Sequence, residues 1–363
     1  MSLRDLGVLQ VEPTDMCNLR CAMCAPHFEQ WDTIHGIPKG YLDVSLWESI
    51  VEGFLRDNLR FDHIIFQWLG DPLLHPQIIE LISIATSKLS HAVQYVRMDT
   101  NAIVLTQEKI EALCSIAVHS KIPILLVCSI DAHTPSVYKK VKGADMLLLV
   151  RKNIKRFLEE RARYGATCFV NIQIQFVVQQ ENAHEAHSFL LYWKNIFDAW
   201  GGFWHDELMF KRLSVGGGAE GQAAADLTYE RSITQTGISP QKIGNLHILC
   251  WEQRPWQNDD AHHAPRSACP ALWMTPVIRH DGSLMVCCAD LQGELTLGSL
   301  RDKSFSQLWF GAYAQKLRND HLLGHFNGVC KSCGGINWYT LTQQKQQLLH
   351  TYEQHLKQEG GST

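Results

Sequence analysis

The chain has 363 residues, enough for one large domain with a well-buried core and a second, smaller one. Its 33 lysines and arginines against 37 aspartates and glutamates give a net charge of −4 without a long basic run, which argues against nucleic acid or an anionic membrane as the main partner. The sequence contains neither a spanning apolar stretch nor a secretion signal, so we expect a cytoplasmic protein. Twelve cysteines in such a chain favour metal or redox chemistry over disulfides.

Short apolar runs alternate with amphipathic stretches from residue 7 to about 200, which is the pattern of repeated βα units around a parallel sheet. We predict strands over residues 7–11, 63–67, 92–98, 122–128, 169–178 and 207–213. We predict helices over residues 46–57, 78–88, 107–116, 147–164 and 184–199. Six such units predict an α/β fold, a partial (βα)6 TIM-like barrel over residues 1–215.

Three thiols lie close together in one loop directly after the first predicted strand, at Cys17, Cys21 and Cys24. A cubane [4Fe-4S] cluster takes soft thiolate ligands and usually needs four of them. Three local cysteines therefore leave one iron open to an outside ligand. A zinc site is the alternative that the three cysteines alone leave open.

The cysteine loop resembles the radical S-adenosylmethionine (SAM) superfamily. The resemblance implies that the open iron binds SAM and that SAM is reductively cleaved to a 5′-deoxyadenosyl radical. It also implies an external one-electron donor, such as flavodoxin or ferredoxin. Met23 stands where the superfamily usually has an aromatic residue, and its flexible thioether can pack on an adenine face.

Polar motifs after the second, third and fourth predicted strands resemble the SAM-binding motifs of this superfamily. Residues 69–72 (Leu-Gly-Asp-Pro) resemble Gly-Gly-Glu-Pro, residues 100–101 (Thr-Asn) resemble Thr-Asn-Gly, and residues 129–131 match Ser-Ile-Asp. Each motif alone would fit a turn or a helix cap, and their order along the chain carries the resemblance. The implied SAM contacts are Met23, Gly70, Asp71, Thr100, Asn101, Ser129 and Asp131.

A second group consists of four cysteines, Cys269, Cys287, Cys330 and Cys333. Together with Gly282 it resembles the SPASM/twitch extension, which holds an auxiliary iron-sulfur cluster. The separations are similar to those in the aminocyclitol dehydrogenase of butirosin biosynthesis. A zinc ribbon is the alternative for these four cysteines. The resemblance implies two [4Fe-4S] clusters, with the ligands Cys17, Cys21, Cys24, Cys269, Cys287, Cys330 and Cys333.

The composition changes at residue 216, where a Gly- and Ala-rich stretch begins, and we predict a linker or lid over residues 216–266. We predict the twitch/SPASM domain over 267–340 and a C-terminal helix and tail over 341–363. Cys250 and Cys288 are candidates for a catalytic hydrogen-atom donor, although each also fits a structural position.

The resemblance predicts hydrogen abstraction from a small polar substrate, namely a sugar, aminocyclitol or nucleoside, in a dehydrogenation, epimerisation or dehydration. We favour this class because the chain begins directly at the first predicted strand, without room for a leader-peptide-binding domain. A peptide-modifying maturase is the alternative, since such a domain can be a separate protein. A zinc-binding structural protein is the third hypothesis.

Overall fold

The computed structural model describes residues 5–24, 38–120, 122–200, 204–213, 219–250, 268–331 and 333. Six parallel strands that pair in chain order form its centre. They are β1 (Asp5–Val11), β2 (Arg60–Phe66), β3 (Tyr95–Thr100), β4 (Ile124–Ser129), β5 (Val170–Val178) and β6 (Glu207–Arg212). The predicted α/β fold with its repeated βα units is confirmed.

Helices connect these strands and cover one face of the sheet. They are α1 (Val44–Arg56), α2 (Ile78–Lys88), α3 (Gln107–Ser120), α4 (Pro135–Lys142), α5 (Leu147–Tyr164) and α6 (Ala186–Trp200). Side chains alternate along each strand, so in β5 Ile172 and Ile174 join the apolar core while Gln173 and Gln175 face the other way. The face away from the helices is therefore rich in polar groups.

The sheet continues beyond β6 through part of the segment predicted as a linker or lid. Helix α7 (Ala219–Thr236) is followed by β7 (Gln241–Ile243) and β8 (Leu246–Cys250), and β8 pairs in parallel with β6. The described part of residues 216–266 is thus a helix followed by a hairpin, and the hairpin extends the sheet. Alanine has the highest helix propensity, which accounts for a helix where composition predicted a linker.

The C-terminal residues extend the opposite edge of the sheet. Strand β9 (Val277–Ile278) pairs in parallel with β1, and β10 (Ser283–Met285) and β11 (Thr296–Ser299) follow as antiparallel strands. Helices α8 (Ala271–Met274), α9 (Phe305–Trp309) and α10 (Ala312–Leu322) complete this module. Helices α8 and α10 contribute to a second apolar core, whereas the buried residues of α9 belong to the main core.

The module packs against the main domain through aromatic side chains as well as through the sheet. Phe305 of α9 meets Phe54 of α1 edge to face, with ring centroids 5.1 Å apart. Within the described ranges, none of the helices has the length and apolar character that a membrane crossing requires. The predicted C-terminal helix and tail over 341–363 lies outside the described residues.

Candidate active site at the carboxyl ends of the strands

The loop that carries the first three cysteines is held between two glycines. A Cβ on Gly70 would lie 2.5 Å from the carbonyl oxygen of Met16, so only glycine allows this approach. Gly143 has a φ of +78°, and a Cβ there would lie 2.7 Å from the carbonyl oxygen of Arg20. The Arg20 amide also donates to the carbonyl of Lys142 at 3.2 Å. The second strand end and the end of α4 therefore fix the loop from two sides.

Cys17, Cys21 and Cys24 are half-buried neighbours. Burial raises the pKa of all three thiols, and the proximity of Cys21 and Cys17 adds to the shift that takes the pKa of Cys24 to about 12. Thiols in such surroundings become thiolates when a metal supplies positive charge, so the donor set fits an iron-sulfur cluster. Across the residues described, no three Cys, His or carboxylate groups converge as ligands of a single ion do, and a cubane instead takes each thiolate on a separate iron.

Asp71 connects the ends of β2 and β3. Its buried carboxylate accepts the Thr100 hydroxyl at 2.9 Å and the backbone amides of Asn101 and Leu73 at 2.7 and 3.0 Å. The Asp71 amide donates to the Met16 carbonyl at 2.8 Å, next to the cysteine loop. Burial raises the pKa of this carboxyl, while the hydrogen bonds oppose the shift. The motif residue thus fixes the backbone at the site.

Asp131 has the same kind of role after β4. It is completely buried, with a φ of +60°, and its carboxylate accepts the Val177 amide at 2.7 Å and the Ser129 hydroxyl at 2.9 Å. The same carboxylate forms an ion pair with Lys142 at the end of α4. Burial opposes the charge on Lys142, but the charge and hydrogen bond of Asp131, together with Cys21 and Tyr138, raise the lysine pKa overall.

Two further contacts bring strand ends to the cysteine loop. The side-chain nitrogen Nδ2 of Asn101 donates to Oδ1 of Asn18 at 2.7 Å, and Nε2 of Gln179 lies 3.6 Å from the Met23 sulfur. The structure therefore collects all the residues that the resemblance assigned to SAM around one loop at one end of the sheet.

Tyr138 was not among the predicted site residues, and its environment marks it as part of this region. Its hydroxyl is buried and has no hydrogen-bond partner in the described structure. Burial raises its pKa, with Cys21 and Asp131 adding to the rise and Lys142 opposing it. A buried donor without a partner indicates a position that a bound group can satisfy. The signal available in the sequence was its place in helix α4, just after the Asp131 motif.

The second cysteine group lies within the apolar core of the C-terminal module. Burial raises the pKa of Cys287, and the neighbouring Cys288, Cys269 and Cys333 contribute to the shift. The short helical turn Gly328–Lys331 carries Cys330, and the Cys333 amide donates to the Val329 carbonyl at 3.2 Å. Cys269 and Cys333 thus lie near Cys287, and Cys330 packs against the same core, so these four thiols suit a second cluster.

A buried polar junction joins the two cysteine regions. Glu12, just after β1, contacts His280 of the module, with Oε2 and Nδ1 2.9 Å apart. Burial lowers the pKa of His280, but the Glu12 hydrogen bond and charge raise it above its ordinary value overall. Nearby, Trp68 donates from its indole nitrogen to the Cys288 carbonyl at 3.1 Å.

The structure separates the two cysteines considered as hydrogen donors. Cys288 lies beside Cys287 at the junction. Cys250 pairs in register with Phe210, a residue of the apolar core, and interacts with Tyr229 of α7. Residues paired in a parallel register share a face, so Cys250 lies on the helix-covered side of the sheet. Both roles stay predictions, and the placement gives Cys288 the more favourable position.

The face of the sheet away from the helices, here called the inner face, carries further polar residues that the sequence motifs did not indicate. Arg97 and Asp99 form a two-bond ion pair at 2.6 Å for each contact. The His63 ring stacks on Tyr95 with centroids 4.4 Å apart, and burial, assisted by Arg97, lowers the pKa of His63 to about 4. Alternation of polar residues on one face of β3 was the available sequence signal.

Comparison with known families now connects the two sites. Residues 11–172 match the family model of the radical SAM superfamily, and residues 269–334 match the model of the SPASM iron-sulfur cluster-binding domain. These matches confirm the predicted resemblance. The first domain implies a [4Fe-4S] cluster and SAM, and the second implies an auxiliary iron-sulfur cluster.

Individual proteins give the same pattern. The chain is 26% identical, over 318 residues, to the tungsten-containing aldehyde ferredoxin oxidoreductase cofactor-modifying protein of Pyrococcus furiosus. The matched region covers 83% of this chain and 80% of that protein. The structure is similar to anSMEcpe with bound AdoMet (SAM), with a TM-score of 0.58, 16% identity and coverage of 91% of this chain and 83% of that one. It is also similar to Streptococcus suis SuiB bound to S-adenosylmethionine, with a TM-score of 0.56, 18% identity and coverage of 91% and 72%. At these identities the structural likeness shows the shared fold.

Proposed function

We infer the function from the premise that this chain is a radical SAM enzyme with a C-terminal SPASM domain. We propose that it abstracts a hydrogen atom from a C–H bond of a small polar substrate, such as a sugar, an aminocyclitol or a nucleoside. When bound, a [4Fe-4S] cluster with one open iron supplies the electron that cleaves SAM to methionine and a 5′-deoxyadenosyl radical. The observation that carries the proposal is the gathering of three thiols and several motif residues at the carboxyl ends of parallel strands.

We propose the following roles for the residues of this chain. Cys17, Cys21 and Cys24 would hold the SAM-binding cluster, and the SAM contacts would be the seven motif residues from Met23 to Asp131. Asp71 and Asp131 already accept hydrogen bonds from the protein, so we propose that they position neighbouring groups as well as meeting SAM. Cys269, Cys287, Cys330 and Cys333 would hold the auxiliary cluster.

Two observations support a small polar substrate. The inner face of the sheet carries hydrogen-bonding groups such as Arg97, Asp99 and Gln175, which suit a hydroxylated or amine-bearing molecule. The name of the Pyrococcus furiosus relative describes modification of a cofactor, which is itself a small molecule. We propose that dehydrogenation, epimerisation or dehydration follows the abstraction.

A peptide substrate is the second candidate, and a specific observation favours it. Streptococcus suis SuiB, which shares the fold, has been solved bound to its precursor peptide SuiA. The same active-site geometry would serve a peptide that brings one residue against SAM.

Transfer of deuterium distinguishes the two classes. Anaerobic enzyme with SAM and dithionite would be supplied with deuterated sugars, aminocyclitols and nucleosides, and separately with deuterated peptides. We expect deuterium in 5′-deoxyadenosine from a small-molecule candidate, because the radical takes its hydrogen from the substrate. Transfer from peptides alone would overturn the proposed class.

The same assay tests the two candidate hydrogen donors. If Cys288 or Cys250 returns a hydrogen atom to the substrate radical, its Ala variant should still form deoxyadenosine but fail to complete a redox-neutral product. Full product yield from both variants would contradict a thiol donor.

A further inference from the structure

Helices α4 and α5 carry a basic surface next to the cysteine loop. Between residues 135 and 156 the sequence has seven lysines and arginines against one aspartate, in a chain whose net charge is −4. Lys142 is buried and paired with Asp131. The others are exposed or half-exposed, and we name them the basic surface: Lys139, Lys140, Arg151, Lys152, Lys155 and Arg156.

The α5 part of this surface combines charge with exposed apolar side chains. Residues 148, 151, 152, 155 and 156 recur at helical spacing and line a cavity of about 430 Å³ together with Tyr192 of α6. Leu148 is 69% exposed and Leu149 is 40% exposed. The Arg151 guanidinium lies 3.9 Å from the centre of the Tyr192 ring and covers one face of that ring. The charges around these apolar groups are mostly positive, with Glu159 as the exception. Exposed apolar groups with a charged rim are typical of protein interaction sites.

The lysines of this surface carry most of its uncompensated charge, whereas Glu185 lies near Arg151 and Glu108 lies near Arg156. Throughout the described part of the chain, Lys139, Lys140, Lys152 and Lys155 have no carboxylate within ion-pair distance. Glu159 is the acidic residue that lines the α5 cavity. Uncompensated positive potential attracts an acidic partner and raises its association rate.

Helix α4 connects this surface directly to the cysteine loop. Two backbone hydrogen bonds join its last turn to the loop, from Arg20 to Lys142 at 3.2 Å and from Ala22 to Val141 at 3.1 Å. Lys139 and Lys140 lie on the same short helix, immediately before this contact. A partner docked on these lysines is therefore next to the loop that holds Cys17, Cys21 and Cys24.

We propose that the basic surface is the docking site of an acidic one-electron donor protein of the flavodoxin or ferredoxin type. The inference rests on the proposed function, since SAM cleavage consumes one electron for each SAM molecule. The docked donor is oxidised by one electron and the cluster in the neighbouring loop is reduced by one. Such encounters are small, transient and steered by charge, as this surface requires.

A nucleic acid or an anionic membrane could use the same cations. The position beside the cysteine loop favours the redox protein, because electron transfer requires a short path whereas the other partners gain nothing from that position. A large polyanion would extend beyond the basic surface and approach the rest of the chain. Because the net charge of the chain is −4, that approach is repulsive and disfavours such a partner.

Paired charge reversals test the docking site. The variants are Lys139→Glu with Lys140→Glu, and Lys152→Glu with Lys155→Glu. The matched control reverses two exposed cations elsewhere, Arg60→Glu at the start of β2 with Lys242→Glu on β7. All are used as anaerobically reconstituted full-length protein. The Kd for flavodoxin and for ferredoxin is measured by calorimetric titration in low salt without SAM, and the KM of each reduced protein is measured by deoxyadenosine formation.

We expect both surface variants to weaken donor binding and raise the donor KM about tenfold, and the control to change neither by more than about twofold. Raising the salt concentration to about 0.3 M should weaken binding to the parent protein more than binding to the variants. With dithionite in place of the donor, all proteins should form deoxyadenosine at similar rates, because a small reductant does not need the docking site.

Equal donor affinity in the parent and both surface variants would overturn the proposal. So would a parent that binds neither redox protein but binds tRNA or phosphatidylglycerol vesicles through these lysines. Failure of the proposed function has a different signature, since the parent would then form no deoxyadenosine even with dithionite, while the Kd comparison would still test the docking surface.

Discussion

Asp131 and Lys142 form an ion pair in which the side chains are 0% and 3% exposed. The carboxylate also accepts the Val177 amide and the Ser129 hydroxyl, so all the polar groups involved have partners. Loss of one member would leave a buried charge without compensation, which costs far more than loss of a surface pair. The pair joins the β4 motif to the end of α4 and thereby to the cysteine loop.

We expect Asp131→Ala to destabilise the protein by about 3–5 kcal/mol, and the double variant with Lys142→Met to regain much of this loss. Chemical denaturation under anaerobic conditions measures both. The control is Lys316→Ala, which breaks the exposed pair with Asp320 at 2.7 Å and should cost under about 1 kcal/mol. If the single variant were as stable as the control, the pair would have no structural role.

The motif pattern identified residues at this scale but not all of their contacts. Gly70, Asp71, Asn101, Ser129 and Asp131 could be found because each follows a strand. That Asp131 binds Val177 could not be predicted, since the two are distant in sequence and meet only when β4 pairs with β5. The sequence places Tyr138 just after the Asp131 motif, but it does not show that the hydroxyl is buried without a hydrogen-bond partner in the described structure.

Helix α4 is the element that connects the site to the surface. It begins after Thr134, whose side chain accepts the Val137 amide, and ends at Gly143 in a left-handed conformation. The close approach of Gly143 to the Arg20 carbonyl means that this helix end sets the position of the cysteine loop.

Gly143→Ala should displace the cysteine loop and lower the iron content after reconstitution from about eight to about four per chain, since the auxiliary site is separate. Gly237→Ala is the matched control, because Gly237 also follows a helix end with a positive φ, +66°, but has nothing within 4 Å of its added Cβ. Both variants carry backbone strain of order 1 kcal/mol, and only the first meets the loop. Iron analysis and electron paramagnetic resonance measure the outcome, and equal iron in the two variants would contradict the proposed coupling.

Elements with strong periodicity were predictable, and short or compositionally unusual ones were not. The predicted helices over 78–88 and 147–164 match α2 and α5, since long amphipathic patterns leave few alternatives. Helix α4 has eight residues, too few for a clear period. The pairing of β9 with β1 was also not predictable, because a two-residue strand has no sequence signal of its own.

At the scale of the whole molecule, the junction of Glu12 and His280 attaches the C-terminal module to the main domain. Asp15 and the Pro38 carbonyl also face His280, and Arg279 lies 3.7 Å from the same Glu12 carboxylate. The raised pKa of His280 means that the folded protein binds its proton more tightly than the unfolded chain does. This stabilisation is present below the unfolded pKa of about 6.5 and is lost as the pH rises through the folded value.

The difference in unfolding free energy between the parent and His280→Gln should therefore be largest near about pH 6 and shrink toward about pH 9. His75→Gln is a control of opposite sign. Burial lowers the pKa of His75, which accepts the Gln77 amide at 3.0 Å, so its contribution should grow as the pH rises through about 6.5. Denaturation across this range measures both, and parallel pH profiles for the two variants would contradict the assignment.

The most direct test of the whole account combines iron content with SAM cleavage. Anaerobically reconstituted parent protein should contain about eight irons and convert SAM to 5′-deoxyadenosine when reduced with dithionite. Replacement of Cys17, Cys21 and Cys24 by Ala should leave about four irons, in the auxiliary site, and abolish deoxyadenosine formation. Stoichiometric zinc without iron in the anaerobically purified protein, or undiminished deoxyadenosine from the triple variant, would contradict the account.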